Sequence, residues 1–263
     1  MRPLQVRRPT SSLLRVHVDR HAASNGPELV FGCINIRSLR NKLDDLLDVR
    51  RDKSLDVVCL VETWHDTDSV SLRRLRADGF QVVDRPRPRT RVDTLATNHD
   101  GVAAIASPGI RLTKVDLGVD PATCELICVR VTSGSSSCVV VIVYRTGPVT
   151  SVFFDELSDV LGRVCTFADP IFVVGDFNIR LDRPDDPASR QFTDTLAAYG
   201  LVHQQTPPTH DDGGLLDVVA TRQDLPQPHV EITDVGLSDH RLLQWTVSLV
   251  KPAPVYTTRT CRP

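Results

Sequence analysis

The stretch that decides the fold is Ile171-Phe172-Val173-Val174-Gly175-Asp176-Phe177-Asn178, an apolar run that ends in a carboxylate and an amide. A short continuous apolar run of this kind is typical of a buried strand. Side chains two residues apart on an extended chain point the same way, so we expect Asp176 and Asn178 to project together. Open α/β sheets bind their ligands at the C-terminal ends of strands, so this end of the strand is a candidate site.

The same arrangement recurs along the chain. Other apolar runs lead into Asn35, Glu62, Tyr144-Arg145 and Asp217, and Asp239-His240 lies on a turn before the last apolar strand. A single acid after a strand is usually just the solvated start of a loop. Six such positions, which together supply carboxylates, amides, a phenol and an imidazole, predict one shared site instead.

Hydrolysis of a phosphate ester is the chemistry that needs this set. A hard cation such as Mg²⁺, or Mn²⁺ in its place, takes one or two carboxylates and keeps several waters. Glu62 and Asp239, with the amide of Asn35, are suited to hold it. Attack on phosphorus also needs a water beside a general base, and Asp176 is our candidate for that base.

The remaining polar groups are suited to the negative charge that develops on the phosphate. His240, Asn178 and Tyr144 can donate hydrogen bonds to the non-bridging oxygens, and preorganised donors are usually the largest catalytic term. A protonated His240 would be the stronger donor. The carboxylate of Asp217 can hold the imidazole in that state and orientation.

These motifs, in this order, carry a resemblance to a known family. They are Ile34-Asn35-Ile36-Arg37-Ser38-Leu39, Val61-Glu62-Thr63-Trp64, Val143-Tyr144-Arg145, Gly175-Asp176-Phe177-Asn178, Leu216-Asp217-Val218-Val219 and Ser238-Asp239-His240. The chain resembles the endonuclease/exonuclease/phosphatase superfamily in its apurinic-endonuclease-like branch. Within that branch it looks most like the endonuclease domain of non-LTR (LINE-type) retrotransposon polyproteins.

The resemblance implies a fold, a substrate and a partner. The fold would be an α/β four-layer sandwich, with two mixed sheets face to face and helices on both outer faces. The activity would be metal-dependent nicking of DNA that leaves a 3′-hydroxyl. The partner, besides DNA, would be a reverse transcriptase domain, and the roles implied for the site residues agree with those assigned above.

Two positions depart from the family pattern. Repair-type members carry an acid two residues after the first Asn, where this chain has Arg37, and retrotransposon-like members often lack that acid. The departure therefore argues against a repair enzyme more than against catalysis. The chain also reads His99-Asp100-Gly101-Val102 where a Gly-Gly pair would be expected before the central strand.

The periodicity of apolar residues predicts alternating helices and strands. Helices are expected over 41–52, 153–164 and 191–199, and strands over 101–107, 124–131, 139–144, 171–175, 215–221 and 242–249, besides the early runs 29–34 and 57–61. This alternation predicts an α/β architecture. Residues 29–250 are expected to form the domain, residues 1–28 a disordered basic tail, and residues 251–263 a C-terminal tail or linker.

Composition is that of an ordinary globular protein. The 263 residues carry a net charge of −2, so the chain as a whole is not a basic nucleic-acid binder. Its seven cysteines show no paired C-x-x-C spacing, and the apolar runs are too short to span a bilayer, so we expect no membrane partner. The N-terminus lacks the apolar region of a secretion signal, which leaves the nucleus and the cytosol open as locations.

Some polar and aromatic residues carry weaker expectations. Arg85, Arg87, Arg89 and Arg91 mark a Pro-interrupted loop that we take as either a substrate-binding contact with the phosphate backbone or a solvated loop. Trp64 is expected to pack rather than to stack on a base. His203, His210 and His229 are expected in surface loops.

Three functions stay open at this point. The first is a DNA endonuclease, and the second is a phosphatase or phospholipid phosphodiesterase of the same superfamily. The third is a catalytically inert, transposon-derived binding module. The chain lacks a reverse transcriptase, so we expect a fragment of a polyprotein, a split product or a domesticated remnant.

Overall fold

The computed structural model describes residues 16–18, 28–86, 100–249 and 258–260. Along the chain the elements are β1 (Val16–Val18), β2 (Leu29–Asn35), α1 (Leu43–Asp52), β3 (Val57–Val61), α2 (Val70–Ala77), β4 (Gln81–Arg85), β5 (Val102–Ala106), β6 (Arg111–Val115), β7 (Cys124–Ser133), β8 (Ser136–Arg145), α3 (Ser151–Val164), β9 (Ile171–Asp176), α4 (Pro187–Ala198), β10 (Leu201–His203), β11 (Asp217–Arg222), β12 (Glu231–Thr233), β13 (Leu242–Val247) and β14 (Thr258–Thr260).

Twelve of these strands form two mixed sheets of six strands each. The first sheet has the order β12-β13-β2-β3-β5-β4, and only β2 and β3 run parallel in it. The second sheet has the order β10-β11-β9-β8-β7-β6, with β8 and β9 parallel. Each sheet thus places its one parallel pair near its centre, among antiparallel neighbours.

The two sheets face each other across an apolar core. Alternate residues of the central strands point inward, and the rings of Phe31, Phe172 and Trp245 meet there with centroids 5.5 to 6.4 Å apart. Residues of the opposite parity pack outward against helices, α1 and α2 on the first sheet and α3 and α4 on the second. This confirms the predicted four-layer sandwich.

The helices begin and end for local reasons. Thr150 caps α3 by accepting a hydrogen bond from the amide of Phe153, and Asp186 caps α4 in front of Pro187 at its first turn. The predicted third helix therefore starts earlier than expected, at Pro187. Helix α2 was not predicted, because among its residues only Leu72 and Leu75 are buried.

Gly175 allows β8 and β9 to approach closely beside the site. Its φ is 129°, and a Cβ built on it would lie 2.0 Å from the carbonyl oxygen of Val143. Only glycine fits this position. The close approach sets the backbone that carries the next residue, Asp176.

Strands β1 and β14 pair antiparallel and lie within the segments predicted as tails. The residues around them fall outside the described ranges, so the predicted domain limits stay a prediction.

None of the described helices is long and apolar enough to cross a bilayer. The six cysteines in the described ranges are free thiols, five of them buried.

Candidate active site

The candidate site lies where the two sheets meet at one edge. Asn35 ends β2 in the first sheet, and Asp176 ends β9 in the second. The amide nitrogen of Asn35 donates to Glu62 Oε1 at 2.8 Å and to Asp176 Oδ2 at 3.0 Å. One buried amide therefore joins the predicted metal-binding carboxylate to the predicted general base.

Glu62 receives further hydrogen bonds from both sheets. The phenol of Tyr144 donates to Glu62 Oε1 at 2.7 Å, and the indole of Trp64 donates to Oε2 at 3.2 Å. Burial and the charge of Glu62 raise the pKa of Tyr144 far above its usual value, so the phenol stays a donor. Glu62 has a φ of 52°, which is a costly conformation for a side-chain-bearing residue and one that clusters at functional sites.

Asp176 is almost completely buried. Its Oδ1 accepts a hydrogen bond of 2.9 Å from the backbone N–H of Asn178. Burial and the charge of Asp217 raise the pKa of Asp176 well above its usual value, although His240 and Asn35 oppose them. A carboxyl group with a raised pKa is better matched to general-base work near neutral pH.

Asp217 and His240 form a buried pair beside Asp176. The ring atom Nδ1 of His240 lies 2.8 Å from Asp217 Oδ2, and Nε2 lies 3.8 Å from Asp176 Oδ2. Burial alone would lower the pKa of His240, but the hydrogen bond to Asp217 and the charges of the surrounding aspartates together outweigh it and raise the pKa to about 9. The ring is therefore an imidazolium at neutral pH in the metal-free chain.

Asp217 reaches this position in a different way from that expected. It begins β11, rather than following a strand, and β11 runs antiparallel to β9 with Asp217 directly opposite Asp176. The start of an antiparallel strand lies at the same edge as the end of its neighbour. The residue therefore joins the predicted site.

Two nitrogen-bearing side chains contact the carboxylate of Asp239. Arg37 Nη1 lies 2.5 Å from Asp239 Oδ2, and His210 Nε2 lies 3.2 Å from the same oxygen. Burial alone would raise the pKa of Asp239, but Arg37, His240 and His210 hold it below its usual value. The arginine that replaces the acid of repair-type relatives thus contacts a predicted metal ligand.

His210 is a site residue that the sequence did not indicate. It was expected in a surface loop, but it forms a β-bridge with His240 and its ring packs edge-on against that histidine at 4.6 Å. Nδ1 of His210 accepts from the N–H of Asp212 at 3.0 Å, which leaves the ring proton on Nε2 facing Asp239. No spacing in the sequence relates the two histidines.

Asn178 is placed differently from the expectation. The extended chain ends at Asp176, and Asn178 has a φ of 50°, so the two side chains do not project in parallel. The Asn178 amide donates to the carbonyl of Arg145 at 2.9 Å. Buried Arg145 in turn donates to the carbonyls of Phe177 and Asn178, so it fixes the turn that follows Asp176.

Two buried carboxylate oxygens accept no hydrogen bond from the described residues, namely Asp217 Oδ1 and Asp239 Oδ1. Unsatisfied buried anionic oxygens favour a cation. Asp176, Asp217 and His240 lie close enough to share one ion, as do His210, Asp239 and His240. The first group offers two carboxylate oxygens and therefore fits Mg²⁺ or Mn²⁺ better than the second, which offers one oxygen and two imidazole nitrogens. Glu62 belongs to neither group.

Of the four arginines predicted to bind substrate, the structure describes one. Arg85 ends β4 rather than lying in a loop, and its guanidinium pairs with Asp120 at 2.6 Å and donates to the carbonyl of Leu126. Arg87, Arg89 and Arg91 lie outside the described residues.

The fold and this edge of carboxylate, amide, phenol and imidazole groups define an α/β-sandwich hydrolase. Members of the matching class act on phosphodiester bonds and generally depend on a divalent metal. The chain belongs to the Endonuclease/Exonuclease/phosphatase family, whose sequence profile matches residues 32–240.

Solved structures agree with this fold at low sequence identity. The human Nocturnin catalytic domain with bound sulfate is 16% identical with a TM-score of 0.63, and the match covers 92% of this chain and 98% of that one. The endonuclease domain of TRAS1, a telomere-specific non-LTR retrotransposon, is 14% identical with a TM-score of 0.64, over 86% and 99%. The Neisseria 3′ phosphatase NExo bound to a product DNA hairpin is 16% identical with a TM-score of 0.61, over 82% and 98%. No curated protein matches the sequence.

Proposed function

We propose that the chain is a Mg²⁺-dependent DNA endonuclease that nicks one phosphodiester, as the endonuclease of a non-LTR retrotransposon does. The observation that carries the proposal is the buried hydrogen-bonded series Glu62–Asn35–Asp176, which lies beside the pair Asp217–His240. This series brings a carboxylate that could bind a metal, a candidate general base and a cationic hydrogen-bond donor to the edge where the two sheets meet.

We assign the following roles to these residues as part of the proposal. Glu62 and Asp239, with Asn35, would hold the metal, which supplies charge stabilisation to the phosphate. Asp176 takes the proton from the attacking water. His240, kept cationic by Asp217, donates to a phosphoryl oxygen, as does the second amide hydrogen of Asn178. The phenol of Tyr144 has one hydrogen, which it donates to Glu62, so it would have to exchange that hydrogen bond before it could donate to the phosphate.

Arg37 favours a target-cutting nuclease over a repair enzyme. It stands where repair-type relatives have an acid, and it already neutralises part of Asp239. A nick that leaves a 3′-hydroxyl would provide the primer for a reverse transcriptase partner.

The test is nicking of supercoiled plasmid, with Mg²⁺ and with a chelator instead. We expect nicking only with the metal, and we expect Asp176→Asn to lower the rate about a hundredfold or more. Asp194→Asn on α4, an exposed aspartate, is the matched control and should keep the parental rate. A folded Asp176→Asn protein that nicks at near-parental rate would refute the assignment.

The same assay separates the alternatives. A nick with a 3′-hydroxyl can be extended by an added reverse transcriptase, and one without it cannot. A parent that ignores plasmid but hydrolyses a soluble phosphomonoester or a phospholipid would be a phosphatase or lipid phosphodiesterase. A folded parent that binds DNA and cleaves none of these substrates would be an inert binding module.

The arginines at 87, 89 and 91 carry a separate prediction. If they contact the DNA backbone, replacing all three by Ala should weaken binding to every duplex sequence and flatten its salt dependence, since fewer counterions are released. Arg85→Ala should change DNA binding less, because that guanidinium is already paired with Asp120. Equal affinity and equal salt slope in the triple variant would exclude a contact.

A further inference from the structure

A cavity adjoins the candidate active site on the side of Glu62. It has a volume of about 650 Å³ and lies between the loop that begins at Ser38 and the loop that contains Trp64. Volumes of roughly 300–1,000 Å³ are typical of small-molecule sites. The cavity is therefore large enough for one nucleotide unit.

The cavity is directly connected to the proposed catalytic groups. The N–H of Ser38 donates to the Glu62 carbonyl at 2.7 Å, and the Trp64 indole donates to Glu62 Oε2 at 3.2 Å. A group bound against Trp64 would therefore lie beside the carboxylate that would hold the metal. For a nucleic acid this is the position of a residue next to the scissile phosphate.

The walls of the cavity are held in place by backbone hydrogen bonds. Leu39 donates to the Thr63 carbonyl at 2.9 Å, and Trp64 donates to the Asp100 carbonyl at 2.8 Å. Ser38 and Trp64 have φ values of 85° and 50°, a conformation that persists only where the surroundings enforce it. A preformed wall loses little conformational freedom when a ligand binds.

The charges at the rim do not favour a phosphate group. Asp66, Asp68 and Arg40 line the cavity, and Asp68 is paired with Arg73 at 2.7 Å. The charges balance, while Ser38 and Asn41 provide neutral hydrogen-bonding groups. A planar, uncharged group with donors and acceptors on its edge suits this lining, and a nucleobase is such a group.

We propose that this cavity binds one base of the nucleic-acid substrate, stacked on the indole of Trp64 next to the scissile phosphate. The inference rests on the proposed nuclease function and adds to it a determinant of where the strand is cut. Trp64 lines the cavity, whereas the chain's other tryptophan, Trp245, is buried between the sheets. The proposal differs from the expectation from sequence that Trp64 packs.

The test is a double-mutant cycle between Trp64 and the base. The substrates are DNA duplexes with one defined cleavage site, and in each duplex a different flanking nucleotide is replaced by a propyl spacer that has no base. Cleavage at the spacer itself gives a product of different length and is counted separately. In the parent, the spacer should slow cleavage at one position by about five- to a hundredfold, as expected for one base stacked on an aromatic side chain. In Trp64→Leu the same spacer should have little further effect, and Trp64→Phe, which keeps an aromatic face, should keep the dependence.

The control is Val152→Ala on α3, an exposed apolar residue on the second-sheet side, which should behave as the parent. Equal spacer effects in the parent and in Trp64→Leu at every position would overturn the proposal. A second measurement does not need cleavage: in a chelator, a short single-stranded oligonucleotide should quench the fluorescence of the parent and not that of Trp64→Phe or Trp64→Leu. Absence of quenching in the parent would overturn the cavity proposal, whereas quenching without any DNA cleavage would uphold it and refute only the nuclease function.

Discussion

The raised pKa of His240 predicts how the stability of the metal-free protein depends on pH. The folded pKa of about 9 lies above the 6.5 of an unfolded histidine, so the folded state binds this proton more tightly. The stabilisation is fully present below pH 6.5 and is lost as the pH rises through about 9. At 1.36 kcal/mol per pKa unit, the loss is about 3 kcal/mol.

The assay is urea unfolding followed by circular dichroism, in a chelator, at several values between about pH 6.5 and pH 9. The parent should lose about 3 kcal/mol of unfolding free energy across this range. His240→Gln should start lower and fall less steeply, because Asp176, no longer beside an imidazolium that lowers its pKa, still titrates there. Asp176 also has a raised pKa, so its titration likewise lowers the unfolding free energy as the pH rises. Because an unfolded aspartate titrates at a lower pH than an unfolded histidine, most of this loss occurs at the acidic end of the range or below it.

A histidine whose pKa shifts the other way provides the control. The sequence predicted His203 in a surface loop, but it is buried at the end of β10. Burial lowers the pKa of His203, so that ring gains no proton in the folded state above pH 6.5. His203→Gln should shift the unfolding free energy by nearly the same amount at every pH in the range, apart from a few tenths of a kcal/mol close to pH 6.5. If the parent and His240→Gln show parallel profiles, the Asp217–His240 pair does not hold the extra proton and the reasoning is refuted.

Three further predictions concern the metal and the core. Glu62→Gln should need more Mg²⁺ for the same nicking rate, because it removes a charge from a hard-oxygen site, and an unchanged Mg²⁺ titration would exclude that role. Arg37→Ala should bind Mg²⁺ up to about fivefold more tightly in calorimetric titration, since a partly exposed ion pair is worth up to about 1 kcal/mol and its loss frees Asp239 Oδ2; weaker binding would contradict this. Phe31→Ala should lower the unfolding free energy by about 3–5 kcal/mol in urea, because its ring fills the space between the sheets, and a loss below about 1 kcal/mol would show that the core closes around the gap.

The central strands of both sheets could be predicted from sequence because each is a continuous apolar run. Both faces of these strands are covered, so side chains on both faces are buried and almost every residue is apolar. The elements that were missed lie at the edges, such as β6 with its alternation Arg111 to Val115, and the short strands β10 and β12. An edge strand, or a short helix with few buried residues, has too few apolar positions for its periodicity to be distinguished from a loop.

Most site residues could likewise be predicted, since they adjoin apolar runs whose ends meet at one edge. Their partners could not. Arg37 and Asp239 are 202 positions apart in the chain, and His210 meets His240 only through an isolated bridge. Such contacts are fixed by how the two sheets close on each other, which leaves no local pattern in the sequence.

The strand order of the first sheet has a consequence for synthesis of the chain. Its centre is built from β2 and β3, but β13, which pairs with β2 on the other side, is almost the last of the described strands. Until β13 leaves the ribosome, β2 has an open edge, and the strand that holds Asp239 and His240 beside β2 is missing. A nascent chain would thus lack the complete candidate site until β13 has been synthesised and has paired with β2.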